Sequence, residues 1–188
     1  MMPQKNEEHR YTYADYYSWD DGERWELIEG VAYAMSPAGA SWRHQDINFN
    51  ISYKLRQFLD GKRCKVLYAP LDVRLNADSY DDTVVQPDII VVCDKMKLRD
   101  SRCCIGAPDM IVEILSPSSL RHDKLTKFNL YQQYGVREYW IADPSAKMMT
   151  VHILESGKYV TSVYGETDTI PVHVLEGCMV DLGDVFVE

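Results

Sequence analysis

The sequence predicts a single α/β domain whose central mixed β-sheet carries helices on its faces. Its 188 residues suit one domain over residues 1–188, because domains of this size form around one hydrophobic core. Apolar residues recur at helical spacing in a few stretches and otherwise fall in short runs of strand length. No internal repeat or low-complexity linker divides the chain. Strand runs separated by helices are typical of layered α/β folds.

The first third of the chain is expected to contain a short helix, a hairpin and a longer helix. Residues 11–20 resemble a short helix, and residues 24–28 and 31–35 are apolar-rich runs joined at a glycine, as in a β-hairpin. In residues 40–60 the apolar side chains recur at helical spacing, and Gly61 follows as a helix stop.

The rest of the chain is expected to form strands and one further helix. Polar loops and turns containing glycine or proline separate the apolar runs. In chain order the strand runs are residues 65–75, 84–93, 109–116 and 137–143, the helix covers residues 120–134, and short strands follow from Met148 to Glu188. The predicted sheet therefore has an extra N-terminal hairpin and extra short C-terminal strands.

The net charge of −9 does not exclude a nucleic-acid partner, because the acidic excess lies at the two ends of the chain. Residues 43–154 hold 16 basic and 14 acidic side chains, so a site in this middle part can face a polyanion. The composition is 46% hydrophobic and 26% charged, which excludes an intrinsically disordered protein.

The lack of targeting signals in the sequence and the spacing of the cysteines favour a cytoplasmic location. No stretch approaches the ~18 apolar residues of a membrane span, and the first residues lack the apolar region of a secretory signal. The cysteines are scattered without a C-x-x-C pair, at Cys64, Cys93, Cys103, Cys104 and Cys178. This pattern predicts reduced thiols in a cytoplasmic protein that does not bind membranes.

Two acidic residues stand where an unpaired charge is expensive. Along residues 109–115 both faces of the predicted strand are apolar near the centre, which is typical of an interior strand. Glu113 therefore points from mid-strand into a buried region. Asp88 is likewise a carboxylate within an apolar strand run, residues 84–93. Two such carboxylates can converge on a hard cation such as Mg²⁺. Alternatively, each accepts hydrogen bonds from an arginine or from backbone amides.

These residues belong to a longer pattern that resembles a known family. It runs through Pro87-Asp88, Val112-Glu113-Ile114-Leu115-Ser116-Pro117-Ser118, Asp123, Lys127, Tyr131, Gly135-Val136, Glu138-Tyr139-Trp140 and Asp143-Pro144, with Trp25-Glu26-Leu27-Ile28-Glu29-Gly30 and His44 upstream. The pattern resembles the bacterial restriction endonuclease family called domain of unknown function 820, within the PD-(D/E)xK nuclease superfamily. The resemblance covers roughly residues 10–175 and implies a restriction-endonuclease-like core.

The resemblance implies a metal-dependent endonuclease that hydrolyses phosphodiester bonds of nucleic acid, with DNA as the expected substrate. Asp88, Glu113 and the carbonyl of Ile114 would hold Mg²⁺, for which Mn²⁺ would substitute. Glu26 would add a contact to the metal or to water, or would instead be a hairpin carboxylate facing solvent. Restriction-like enzymes often pair by two-fold symmetry, so a homodimer is expected.

The chain departs from the superfamily pattern at one position. Leu115 stands where the signature has a lysine two residues after Glu113. In the family that the chain resembles, a lysine on the following helix takes over, and Lys127 matches it. Lys127 would orient the attacking water or offset charge on the phosphorane. Alternatively, it forms a surface ion pair with Asp123.

Four further residues are candidates for substrate contacts. His44 can approach the cleft from its helix, and Gln86 precedes the Pro-Asp pair. Arg121 and Lys124 belong to a small basic cluster at a helix N-terminus, a place that suits phosphate. The ordinary alternatives are a packed or surface histidine, a solvent-facing glutamine and solvated helix cations.

Two other functions stay open from the sequence. A catalytically silent nucleic-acid-binding or interaction module would keep the fold, and Leu115 together with the acidic chain ends favours it. A thiol-dependent hydrolase would use Cys103 or Cys104, but no orienting acid has a suitable spacing.

Overall fold

The computed structural model describes residues 9–35, 41–116 and 126–187. Its helices are α1 (Tyr13–Tyr17), α2 (Trp42–Phe58) and α3 (Phe128–Gln133), with 3₁₀ turns at Lys95–Leu98 and Leu182–Asp184. Its strands are β1 (Trp25–Ile28), β2 (Val31–Ala34), β3 (Lys65–Tyr68), β4 (Asp72–Arg74), β5 (Val84–Val85), β6 (Ile89–Val92), β7 (Cys103–Ile105), β8 (Met110–Ile114), β9 (Glu138–Asp143), β10 (Met148–Glu155), β11 (Lys158–Gly165), β12 (Thr169–Pro171) and β13 (Met179–Asp181).

A six-stranded mixed sheet forms the centre of the fold, in the order β11-β10-β9-β8-β6-β3. Strands β8 and β9 run parallel, and the other neighbours are antiparallel. Every residue of β8 is buried, as expected for an interior strand that is covered on both faces. The predicted central mixed sheet is confirmed, with α2 against one face and α3 against the other.

The two faces of the central sheet pack against different layers. One face contacts α2 through Ile47, Ile51 and Leu55, and also contacts the C-terminal segment 170–186. The other face contacts α3 and a second, five-stranded sheet in the order β2-β1-β5-β4-β7. Burial of apolar surface holds these layers together. The second sheet gathers the N-terminal hairpin and short strands that the sequence pattern does not assign to a layer of their own.

Two predicted strand runs are each divided between the two sheets. The run 65–75 becomes β3 and β4, with a cis peptide bond at Ala69–Pro70, and the run 84–93 becomes β5 and β6 around Pro87. Proline has no backbone N–H to donate, so it interrupts the hydrogen-bonded ladder. The chain therefore changes sheet at both places.

Two of the C-terminal strands are longer than the short strands that the sequence predicts. Strands β10 and β11 have eight residues each and extend the central sheet as a hairpin, whereas β12 and β13 have three residues each. Strand β7 lies where no strand is predicted, because three residues are too few to show a period.

The prediction of reduced cysteines is wrong for one pair. Cys64 and Cys93 form a disulfide, because β3 and β6 pair with Lys65 opposite Val92 and thus bring the two cysteines side by side. Their spacing of 29 residues gives no hint of this register.

Among the described residues, no helix combines the length and apolar character needed to cross a bilayer.

Candidate active site

Lys127 and Glu113 form a buried ion pair. Glu113 lies in β8, and Lys127 stands at the start of α3, which packs over the same face of the sheet. The Lys127 Nζ is 2.9 Å from Glu113 Oε1, and each residue is only 4% exposed. Lys127 is therefore buried and does not lie on the surface, and Asp123, its partner in the alternative prediction, lies outside the described residues.

Glu26 joins this pair from the second sheet. It lies in β1, is 3% exposed, and its Oε1 is 3.1 Å from Lys127 Nζ. The backbone N–H of Gln86 donates to the same oxygen at 3.0 Å. The alternative of a solvent-facing hairpin carboxylate is wrong, because Glu26 faces Lys127 between the two layers.

The buried cluster of Glu26, Glu113 and Lys127 holds two carboxylates and one ammonium. Because buried ions are costly unless they are paired, the shared ammonium is what makes this arrangement tolerable. The Tyr131 hydroxyl also donates to Glu113 Oε1 at 2.8 Å. Burial, and then the charge of Glu113, raise the pKa of Tyr131 well above its usual value, so this donor stays protonated. As ions, the three charged groups sum to one negative charge, which favours a cation beside them.

Asp88 lies beside Glu113, at the residue that immediately precedes the neighbouring strand β6. Strands β6 and β8 pair antiparallel, and their register places Asp88 opposite Glu113. Its Oδ2 accepts the backbone N–H of Ile114 at 2.7 Å and lies 3.2 Å from Nε2 of His44 on α2. The Asp88 side chain is 20% exposed, so it connects the buried cluster to solvent. The structure thus brings together Asp88, Glu113, Lys127, Glu26 and His44.

The second Pro-Asp pair makes similar contacts but has different neighbours. Asp109 Oδ2 accepts the backbone N–H of Cys93 at 2.7 Å, and its Oδ1 is 2.6 Å from Arg137. Asp88 and Asp109 therefore fix the two opposite ends of the β6–β8 pair in the same way. A cavity of about 550 Å³ beside Asp109 and Arg137 lies at the far end of β8 from Glu113.

Gln86 contributes to the site through its backbone. Its side-chain Oε1 accepts hydrogen bonds from Arg24, and its Nε2 donates to Asp72 and to the Tyr16 hydroxyl. These bonds hold the residue whose N–H binds Glu26. A phosphate contact by the Gln86 amide would have to compete with them.

The remaining candidates lie elsewhere. Arg121 and Lys124 are outside the described residues. Cys103 and Cys104 are buried, and burial raises the pKa of the Cys104 thiol to about 12. A thiol held in its protonated form is a poor nucleophile, so the structure argues against the thiol-dependent hydrolase.

The donor set around Asp88 fits a hard cation. Asp88 and Glu113 offer carboxylate oxygens, and the Ile114 carbonyl lies on the Asp88 side of β8, because the N–H and C=O of a strand residue face the same neighbour. Mg²⁺ binds through one or two carboxylates and keeps several waters. No cluster of three or more His, Cys, Asp or Glu side chains that could hold a metal occurs in the described part of the chain. A metal here would therefore rest on two carboxylates and a carbonyl.

The match to a family model decides where the chain belongs. Residues 13–183 match the model of the Uma2 family, which is described as "Putative restriction endonuclease". The chain belongs to the Uma2 family. This match covers most of the chain, including Glu26, Asp88 and Glu113.

Relatives and a solved structure agree with this membership. The chain is 28% identical over 161 residues to the uncharacterised protein slr1290 of Synechocystis sp., covering 83% of this chain and 81% of that protein. It is 30% identical over 126 residues to the uncharacterised protein sll1609 of the same organism, covering 64% and 67%. The crystal structure of a "putative nuclease belonging to DUF820" from Anabaena variabilis covers 94% of this chain and 97% of its own, with a TM-score of 0.75 and 18% identity. This similarity confirms the predicted fold.

In this Uma2 chain, the position at which the superfamily that the chain resembles has its lysine is part of the core. Leu115 is buried among apolar residues between the central sheet and the second layer. The ammonium near Glu113 comes instead from Lys127, twelve residues further along the chain. The geometry is compatible with the replacement that the family resemblance implies.

Two residues near the site received no role from the sequence. Tyr131 donates to Glu113, and the Asn48 amide donates to the backbone carbonyl of Asp88 at 3.4 Å. Each lies four residues after a candidate, Lys127 or His44, and so on the same side of a helix. That spacing is the signal that could have found them.

Proposed function

We propose that this Uma2 protein is a metal-dependent endonuclease that hydrolyses phosphodiester bonds of nucleic acid, with DNA as its substrate. The supporting observation is the buried Glu26–Lys127–Glu113 cluster beside the partly exposed Asp88. Family membership supplies the coarse class, a nuclease-like protein. The arrangement of one ammonium and several carboxylates at a strand end suits phosphoryl chemistry.

Asp88, Glu113 and the Ile114 carbonyl would hold Mg²⁺, with Mn²⁺ as a substitute. Such a cation supplies polarisation of the phosphodiester oxygen and a lowered pKa for a bound water. His44 and the Ile114 N–H orient the Asp88 carboxylate through its Oδ2. Tyr131 orients Glu113 through its Oε1.

Lys127 would offset negative charge that develops on the phosphorane. A compact ammonium suits this task because it acts as a point charge. In our proposal Glu26 acts mainly on Lys127: its Oε1 holds the ammonium at 3.1 Å and is itself fixed by the Gln86 N–H. Glu26 therefore positions the lysine, and a direct contact to metal or water is not required for its role.

The nucleic-acid partner, the homodimer and the cytoplasmic location complete this proposal. The acidic ends of the chain do not oppose it, since a bound cation offsets carboxylates at the site itself. A catalytically silent module that keeps the fold is the competing function. The absence of a lysine at Leu115 is the observation that favours it.

The test combines metal binding with cleavage. We expect calorimetry to detect Mn²⁺ binding to the wild type, and Mn²⁺ to raise its melting temperature through linkage. Asp88→Asn should remove both effects and abolish cleavage on a panel of DNA and RNA substrates. Asp109→Asn is the matched control, because Asp109 makes the same backbone contact at the other end of the strand pair. It should bind Mn²⁺ and cleave like the wild type.

Three outcomes would count against the proposal. A wild type without any heat of Mn²⁺ binding would remove the metal site. The same heat in Asp88→Asn would place the metal elsewhere. A wild type that binds metal but cleaves nothing on the panel would favour the silent module.

A further inference from the structure

The outer side of α2 carries an exposed aromatic stripe. Trp42, Phe49 and Tyr53 are 66%, 65% and 53% exposed. They are separated by seven and four residues, which places them along one side of the helix. The rings of Phe49 and Tyr53 stack on each other, with centroids 6.1 Å apart. Aromatic side chains on the same side of one helix are typical of an interaction surface.

This stripe lies opposite the side of α2 that packs on the central sheet. Ile47, Ile51 and Leu55 face the core. The aromatic side chains therefore contribute nothing to that packing, and their stripe is available for another molecule.

Two charged residues continue the stripe and indicate what kind of partner fits it. Asp46 precedes Phe49 by three residues, and Arg56 follows Tyr53 by three residues, so both lie on the same side of the helix. Arg43, whose guanidinium lies 5.3 Å from the centroid of the Trp42 ring, and Asp60, which pairs with Arg56, add one charge of each sign. The four charges cancel, so the stripe offers no net attraction to the phosphates of a nucleic acid. Asp46 forms no ion pair with another described residue, whereas Arg56 contacts Asp60 in an exposed pair.

The order of these residues is self-complementary. If a second α2 lies antiparallel on this outer side, with the two-fold axis crossing the helix at the level of residue 51, position 49 meets position 53 of the partner and position 46 meets position 56. Phe49 then packs on the partner's Tyr53, and Asp46 pairs with the partner's Arg56, each twice by symmetry. Reciprocal contacts of this kind define an isologous interface.

We propose that the outer side of α2 is the surface through which two copies of this chain form an antiparallel, two-fold dimer. The proposal rests on the homodimer proposed above and assigns its surface. The three aromatic side chains supply roughly 350 Å² per chain, somewhat less than half of the about 800 Å² that a stable interface buries on each partner. Flanking polar side chains form the rim of the interface. Because the apolar area is small, we expect a dimer that dissociates at low protein concentration.

The surface also places each candidate site close to the partner. His44 and Asn48 lie on the inner side of the same helix and contact Asp88. Each site is therefore about one helix diameter, roughly 10 Å, from the interface. This arrangement suits an enzyme that presents two sites to one substrate.

Sedimentation equilibrium over a wide concentration series, without metal or nucleic acid, tests this surface. We expect the wild type to pass from 21.7 kDa to twice that mass as concentration rises. Asp46→Arg and Arg56→Asp should each stay monomeric alone, because each places like charges opposite one another. An equimolar mixture of the two variants should form the dimer again, since both ion pairs are then restored.

Matched controls separate the interface from general effects. Phe49→Ser should be monomeric, whereas Tyr80→Ser removes an even more exposed aromatic side chain elsewhere and should dimerise like the wild type. Lys158→Asp, at the tip of the β10–β11 hairpin, controls for the change in net charge. A wild type that remains at 21.7 kDa throughout, or a mixture of the charge variants that stays monomeric, would overturn the proposal. Neither result depends on cleavage, so the proposed nuclease activity is tested separately.

Discussion

Replacing Lys127 by methionine removes one positive charge from a buried cluster while keeping a side chain of similar length. The ammonium lies 2.9 Å from Glu113 Oε1 and 3.1 Å from Glu26 Oε1. Without it, two buried carboxylates lose their common partner. The Tyr131 hydroxyl and the Gln86 N–H stay bonded to them but carry no full charge.

The expected loss of stability follows from these distances. At an effective dielectric constant of about 20, each contact near 3 Å corresponds to about 5 kcal/mol of attraction. The cost of taking the ions out of water cancels most of it. Removing one partner of a buried ion pair costs about 3–5 kcal/mol, and because the ammonium serves two carboxylates we expect the upper part of this range.

Urea denaturation of Lys127→Met against the wild type measures this loss. Lys147→Met is the matched control, because Lys147 Nζ also lies 3.1 Å from a carboxylate, Glu166, but both side chains are a third or more exposed. The exposed pair should cost at most about 1 kcal/mol.

A variant that removes all three charges provides a second stability measurement, which can be made even if Lys127→Met fails to fold. Glu26→Gln, Glu113→Gln and Lys127→Met combined leave no uncompensated ion, so we expect most of the lost stability to return. Equal stability of Lys127→Met and Lys147→Met would show that the cluster is hydrated and that its burial has been misjudged. A triple variant as unstable as Lys127→Met would show that packing rather than charge is responsible.

Two further predictions concern buried polar groups. Tyr131→Phe removes a donor to the buried Glu113 and should cost about 1.5–3 kcal/mol in urea denaturation, because that hydrogen bond serves a charged acceptor; a loss below about 0.5 kcal/mol would contradict this. Burial lowers the pKa of His152 to about 4 from 6.5, so the unfolded chain binds this proton first as pH falls. Stability should therefore drop by on the order of 3 kcal/mol between pH 6.5 and pH 4, and His152→Asn, which cannot titrate there, should lose this part of the slope.

The fold was predictable where one element carries its own pattern. The α2 periodicity places Ile47, Ile51 and Leu55 against the sheet, and the apolar run around Glu113 becomes the interior strand β8. The division into two sheets was not predictable in the same way. It depends on where Pro70 and Pro87 interrupt the strand ladders and on which layer each short piece then joins.

The candidate site was predictable only in part, because its members come from separate elements. Asp88 and Glu113 were identified because charge in an interior strand needs a partner. The burial of Glu26 depends on the packing of β1 over the central sheet, and that of Lys127 on the course of the chain before α3. The disulfide between Cys64 and Cys93 was missed for the same reason, since strand register is a long-range property.

The two Pro-Asp pairs show why a short motif does not identify a site by itself. Asp88 and Asp109 each accept one backbone N–H from the neighbouring strand at 2.7 Å, at opposite ends of the same strand pair. What differs is the charge that surrounds them. Asp109 pairs with Arg137, which satisfies it, whereas Asp88 lies opposite Glu113 and adds a carboxylate where negative charge is already in excess. The cation that we propose at that end of the strands would offset this excess, so the surrounding charge, and not the Pro-Asp pair itself, distinguishes the two aspartates.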